Sequence, residues 1–479
     1  MTDQKTGFAY FKQVGIGAIA GVVVLGLIVA GYSLSGGAKP VVTASQTPTT
    51  SSTPLVTPSA GSTDLHTCSV YDQVAAFKPE TLQAAVINPA TDELLFDRSS
   101  SIPGATASTM KLLTATVALQ SLGANYRVDT RVYQDPADPG TLILVGGGDP
   151  TLSRTAAGKQ SVYRDAPKLS TLAIAVNQKI GATPITKIVV DGSLFKGPSW
   201  EPSWERSEQT QGYMSEVTAL QVDGDRSNPA AETSPRSTTP VLNAGKYFKT
   251  ALGASAKGAT IVEGVAPGAA VQIAKVTSQP ISRWITHMLQ VSDNTEAEAL
   301  ARLVSLDQGL DGSFASISAA YKKVLSTSSL DLSGVTIKDG SGLSDFNLVA
   351  PIFMAKFMKL ILGASTGDYA AVKQALPVSA ESGSLASRFK GANLDAAGKI
   401  HAKTGWIKKA YTLVGYIDSK DGTQLVFAVY ASGQVTDGTK QKIDDLVTGF
   451  YRCGNLLSNS TEPAPSASSS TSPSATPAQ

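Results

Sequence analysis

A chain of 479 residues, 42% hydrophobic and 16% charged, is long enough for more than one core and too apolar to remain unfolded throughout. Its net charge of +2, with no basic stripe, points away from a nucleic-acid partner. Two cysteines and three histidines exclude a disulfide-dense scaffold and leave a histidine-rich zinc site poorly supported.

The N-terminus reads as a membrane address. Residues 13 to 38 carry no charge, and 14 to 34 are mostly apolar, close to the ~20 residues that a span requires. Lys5 and Lys12 precede this run, so residues 1 to 13 are expected in the cytoplasm and the folded region outside it. A cleaved signal is the rival, yet the run exceeds the usual ~7–15 residues and no Ala-x-Ala site closes it. Residues 35 to 67 and 457 to 479 are rich in Ser, Thr, Pro and Ala, so a flexible linker and tail are expected there. Cys68 and Cys453 stand at the two edges of what lies between. In an exported protein they read as a disulfide joining its ends, with two buried free thiols as the alternative.

Between the flanks, the first strong signal is a buried helix over 106 to 123. Met110, Leu112, Leu113, Val117 and Leu119 fill most of its faces, and Gly123 stops it. Ser108 falls in its first turn, where unpaired backbone N–H groups and the helix dipole favour a developing alkoxide, and Lys111 lies on the same face three residues on. To act as a base Lys111 must be neutral, which requires burial and a nearby cation, for which Lys403 is the candidate. Strand-like pieces follow at 126 to 133, 141 to 145 and 186 to 190. Gly146-Gly147-Gly148-Asp149 lacks the Gly-Lys-Ser/Thr of a phosphate cradle and reads as a turn.

An amphipathic helix over 281 to 291 carries His287. Ser292-Asp293-Asn294 then leads into a helix from 294 to 304. Asp339 to Ser344 reads as a structural loop at the rim of a site. Lys403-Thr404-Gly405 stands between strand patterns at 397 to 402, 410 to 418 and 425 to 431, with His401 on the same face as Lys403. Gly405 allows close backbone approach, so a substrate can add to this edge as a strand. His66, His287 and His401 are each read as structural, which leaves a Ser-His-Asp triad poorly supported. A serine, a lysine one turn away, a second hydroxyl with a carboxamide, and a strand lysine together make the kit of a serine acyl transferase that works without histidine.

The three motifs, in this order, resemble those of penicillin-binding proteins and serine β-lactamases. The segments 144 to 152, 339 to 344, Leu376-Pro377-Val378, Gly383-Ser384-Leu385 and Ala297-Glu298 narrow the resemblance to the low-molecular-mass class C penicillin-binding proteins, over roughly 69 to 456. That family comprises D-Ala-D-Ala carboxypeptidases and endopeptidases. The resemblance implies Ser108 as acylated nucleophile, Lys111 as general base, Ser292 as proton relay, and Asn294 as donor to the substrate carbonyl. Lys403 and Thr404 receive the terminal carboxylate, beside Gly405. The N–H groups of Ser108 and Trp406 form the oxyanion hole. Trp406 departs from the small hydroxyl residue usual there and narrows the cleft.

The expected fold is α+β, an antiparallel sheet flanked by helices. Residues 68 to 124 and 280 to 456 form its core, with β-rich domains inserted at 125 to 279. The expected function is a penicillin-inhibited serine D-Ala-D-Ala carboxypeptidase acting on peptidoglycan stem peptides, anchored in the cell membrane and requiring no metal or organic cofactor. The alternatives are a DD-endopeptidase, a β-lactamase and a non-catalytic wall-binding scaffold.

Overall fold

The computed structural model describes residues 65 to 462. The expected membrane span, nearly all of the linker and most of the tail lie outside them; among the described residues no helix is long and apolar enough to cross a membrane.

Strands are numbered along the chain. A five-stranded antiparallel sheet takes β1 (Thr81–Asn88) and β2 (Glu93–Arg98) from the start of the folded region. Its other strands are β10 (Ile400–Ile407), β11 (Ala410–Asp418) and β12 (Gln424–Ser432), and the order is β10-β11-β12-β1-β2. The first strand thus pairs with the last, Thr81 opposite Ser432. β11 and β12 read as near-continuous apolar runs because both of their faces are covered. Leu413, Phe427 and Val429 face the C-terminal helix Asp437–Cys453, packing on Ile443 and Phe450. Val414, Val426 and Ala428 face the other way, against Leu113 of helix Lys111–Leu122 and Met354 of helix Pro351–Gly363. Burying each such side chain is worth roughly 1.5–3 kcal/mol. β10 is left at the sheet edge, where the Lys403 motif lies.

A two-residue ladder joins β3 (Gly104–Ala105) to β9 (Leu348–Val349), tying the approach to Ser108 to the loop that begins at Asp339. The strands from 129 to 277 make a second sheet with a core of its own, including Leu142, Ile188 and Phe248. They are β4 (Asp129–Asp135), β5 (Asp138–Val145), β6 (Lys187–Asp191), β7 (Thr260–Glu263) and β8 (Val271–Thr277), in the order β7-β6-β5-β4-β8. β5, β6 and β7 run parallel, so the chain must cross over between them, and helices Leu169–Ile180 and Pro240–Leu252 do so. Part of the segment between β6 and the second of these helices turns away from this sheet. Its Phe195, Trp200, Trp204, Met214 and Val217 pack instead into the helical core around Leu113 and Leu300.

Cys68 and Cys453 form the expected disulfide, with Cα atoms 5.4 Å apart. Backbone bonds from Cys68 N to Leu456 O and from Ser458 N to Cys68 O, each 2.9 Å, close the same seam. Because the bridge closes a loop across 385 positions of sequence, the chain-entropy limit of its stabilisation is about 6 kcal/mol. The Cys68→Ala/Cys453→Ala double variant is therefore expected to unfold at markedly lower urea concentration than the oxidised wild type. Superimposable unfolding curves would contradict that contribution.

Candidate active site

The nucleophile segment begins with a 3₁₀ turn, Ala107–Met110, which runs into helix Lys111–Leu122; Gly123, at φ +83°, ends it. Ala107 adopts φ +45°, a conformation that L residues rarely take, and is held there by close neighbours on two sides. A Cβ on Gly342 would lie 1.8 Å from Ala107 O, and a Cβ on Gly405 would lie 2.9 Å from Ser108 N and 2.1 Å from Thr412 Oγ1. Glycine at these two positions is what lets the loop and the β10 edge close upon Ser108.

Lys111 is fully buried. Its Nζ lies 2.8 Å from Ser108 Oγ, 2.7 Å from Asn294 Oδ1 and 2.7 Å from Ser341 O. Two of these three partners are carbonyl oxygens, which only accept. A neutral amine therefore spends both N–H groups on Asn294 and Ser341, and its lone pair faces the Ser108 hydroxyl. Burial pushes the Lys111 ammonium down to about 8, against the opposing pull of Glu298, Asp339 and Asp293.

Ser292 takes φ +65° in the turn between helices Ile281–Val291 and Asn294–Asp307. Asp293 caps the second helix by accepting the Glu296 N–H at 2.9 Å. The amide of Asn294 donates to Tyr213 O at 3.0 Å, leaving one N–H hydrogen free. On β10, Lys403 is fully buried, and its Nζ donates to Ser292 Oγ at 2.9 Å and Thr404 O at 2.8 Å. The Thr404 hydroxyl donates to Ser384 Oγ at 2.8 Å.

Ser108, Ser292, Asn294, Thr404, Gly405 and Trp406 all border one cleft of about 470 Å³. Lys111 and Lys403 do not border it; they stand behind the two serines. Lys403 reaches the cleft wall through Ser292, which it touches. The hydroxyls facing the cleft there belong to Thr404 and Ser384, with Arg388 and Lys440 further along the wall. Trp406 is 45% exposed, with its ring 6.2 Å from that of Tyr213 across the cleft mouth.

Burial is the largest cause of the fall at Lys111, and burial together with the neighbouring Lys111 holds Lys403 well below its usual range. Asp339 to Ser344 is more than a rim, because its Ser341 carbonyl holds the lysine and Leu343 lines the cleft. His401 stacks on Tyr416, ring centroids 4.5 Å apart, and its charged neighbours are Asp418, Glu381, Lys373 and Lys399 rather than Lys403.

Sequence reasoning left Glu298, Asp339, Ser384 and Tyr213 without roles. A glutamate beside Ala297, Leu300 and Ala301, on the apolar face of a helix, was the available signal for a buried acid. His287, Asp293 and Glu296 lie close together, but Arg226 already occupies Asp293 at 2.6 Å and His287 Nδ1 meets Glu296 at 2.7 Å. Despite the opposing effect of burial, the surrounding carboxylates raise His287 to about 11. The cluster is an ion network that anchors the turn bearing Ser292 and Asn294.

The sequence profile of the D-Ala-D-Ala carboxypeptidase 3 (S13) family matches residues 72–235 and 225–451. The chain belongs to this family. This S13 protein is accordingly a peptidase of the low-molecular-mass class C penicillin-binding group. It is 33% identical over 376 residues to a carboxypeptidase of Mycobacterium tuberculosis, covering 78% of this chain and 80% of the relative. It is 31% identical to the carboxypeptidase DacB of Mycolicibacterium smegmatis, covering 75% and 78%. Its fold matches the crystal structure of penicillin binding protein 4 from Haemophilus influenzae, with TM-score 0.68 at 19% identity over 80% of this chain and 98% of the other.

The Arg226–Asp293 pair, wholly buried, gives a test of how the S13 site is held. Burial pushes the Asp293 carboxyl up, but Arg226, His287 and the Glu296 N–H outweigh it and hold it well below the usual carboxylate range. A depressed carboxyl stabilises the fold above its unfolded value of about 3.9 and loses that contribution as pH falls. Asp293→Asn strands the buried guanidinium and is expected to cost about 3–5 kcal/mol at neutral pH in urea unfolding. The gap to wild type is expected to shrink on acidification. Equal stability at neutral pH would contradict this.

Proposed function

We propose that this protein is a serine D-Ala-D-Ala carboxypeptidase acting on peptidoglycan stem peptides outside the cytoplasm. The observation that carries the reading is the buried Lys111 amine, 2.8 Å from Ser108 Oγ and aimed at it by two carbonyl acceptors. Family membership supports the reaction class, and the disulfide supports an exported setting.

In this reading the stem peptide lies along the open part of β10, its scissile carbonyl over Ser108. Lys111 takes the hydroxyl proton as Ser108 Oγ bonds to the carbonyl carbon, and the tetrahedral oxyanion is met by the N–H groups of Ser108 and Trp406. The C–N bond then breaks. The departing D-Ala amine receives its proton through Ser292, which Lys403 touches at 2.9 Å. The remaining N–H of Asn294 is available to the substrate's peptide carbonyl. The terminal carboxylate meets the Thr404 and Ser384 hydroxyls, with the charge of Lys403 behind them. Binding an anion there favours the protonated form of Lys403, which the empty site disfavours. Water, activated by Lys111 in turn, releases the shortened peptide. A penicillin enters the same path, its β-lactam carbonyl taking the place of the scissile bond. Trp406 and Tyr213 narrow the mouth and favour a slender substrate.

Two measurements check this. Ser108→Ala is expected to abolish both covalent labelling by a fluorescent penicillin and release of D-Ala from a synthetic stem peptide, while leaving the unfolding curve unchanged. A wild-type substrate whose terminal carboxylate is amidated is expected to lose roughly tenfold to a hundredfold in kcat/KM, the worth of a charge-assisted hydrogen bond. Labelling that persists in Ser108→Ala would refute the nucleophile. Equal cleavage of the amidated peptide would refute the carboxypeptidase reading.

A further inference from the structure

Glu298 sits fully buried on helix Asn294–Asp307, one turn beyond Asn294. Its Oε1 accepts the Ser341 N–H at 2.7 Å and its Oε2 accepts the Gly340 N–H at 3.0 Å. The Gly342 and Ser344 N–H groups go to the neighbouring Asp339, at 2.7 and 2.8 Å. Asp339 also accepts from the Trp204 indole and the Asn347 amide, each at 2.8 Å. Two buried carboxylates therefore fix the loop residue by residue. Its outward consequence is the Ser341 carbonyl, set 2.7 Å from Lys111 Nζ.

The charged and titratable groups around this region come from every element packed on it. Lys111 faces it from the nucleophile helix, Arg302 and Asp293 from the helix of Glu298, Tyr321 from helix Phe314–Leu325, and Lys403 from β10 beyond Lys111. Tyr321 donates to Thr114 Oγ1 at 2.8 Å, and Thr114 in turn donates to Gly340 O, closing the loop from its other side. Burial and Asp339 lift the Glu298 carboxyl to about 8 against its N–H bonds, so the two acids titrate as a pair.

We propose that Glu298 is a positioning residue for acylation: by pinning the 340–341 backbone it aims the Lys111 lone pair at Ser108. This rests on the reading of Lys111 as base. Without the Ser341 carbonyl, one N–H of the amine has no fixed partner, and the lone pair is free to turn away from the serine. A glutamine at 298 accepts only one of the two loop N–H groups, so it removes half of the pinning.

The test is the rate of penicillin acylation against pH for folded wild type, Glu298→Gln and Glu298→Asp, with folding checked by circular dichroism. Wild type is expected to lose acylation on the acid side as Lys111 protonates. Glu298→Gln is expected to lower the plateau at least about tenfold while leaving the affinity of the initial non-covalent penicillin complex unchanged. Glu298→Asp withdraws both acceptor oxygens by one methylene, and its plateau is expected to fall as well. A wild type with no acid limb refutes Lys111 as base and takes this inference with it. A wild-type limb with an undiminished Glu298→Gln plateau refutes the role of Glu298 alone. If Glu298→Gln does not fold, Glu298→Asp decides, and acylation at the wild-type rate overturns the proposal.

Discussion

Everything chemical in this fold depends on an amine buried without a direct ion-pair partner. Leaving a charged amine in a dry interior is unfavourable by several kcal/mol, and a shifted pKa is how a protein relieves it. Lys111 follows that course, pushed down to about 8. The same burial that lets the lysine give up its proton more readily also makes its orientation critical, because a neutral amine has a single lone pair. Asn294 and Ser341 occupy both of its N–H groups. The site is thus a problem of aiming as much as of acidity.

That aim is assembled from distant parts of the chain. Lys111 comes from a helix under the first sheet, Asn294 from a helix capped by Asp293, and the Ser341 carbonyl from a loop held by two buried acids. Arg226, from the segment between β6 and β7, braces Asp293 at 2.6 Å. The region between the first two motifs therefore serves the site directly. Part of it packs into the helical core, and Tyr213 from the same stretch accepts from Asn294. The disulfide ties the start of the described fold to the end of the C-terminal helix, which packs on the sheet that carries Lys403.

Much of this was legible from residue patterns. The helix at 281 to 291 ends where its amphipathic period ends, and Asp293 announces the next helix as a cap residue must. Three strand-like pieces became β4, β5 and β6, because apolar β-branched runs bounded by turn residues have few other folds to adopt. The 3₁₀ start at Ala107 was not legible. It is imposed by Gly342 and Gly405, each more than two hundred residues downstream, and local propensity carries no trace of them. Strand alternation gave the facing of Lys403 but not its buried contact with Ser292. The role of the loop after Asp339 was hidden for a related reason: a backbone carbonyl does the work, and no side chain marks it.

Trp406 is 45% exposed where it borders the cleft, and the backbone around it is an ordinary ladder, paired with Tyr411. Its indole alters the mouth of the cleft and leaves the amine behind Ser108 untouched. The central claim is therefore best tested at the amine itself. Lysine labelled with carbon-13 at Cε, with the Lys111 signal assigned by its absence in Lys111→Arg, can be titrated by NMR in the intact folded protein. The expected midpoint is about 8. A midpoint near the ordinary lysine value of about 10.4 would contradict the account.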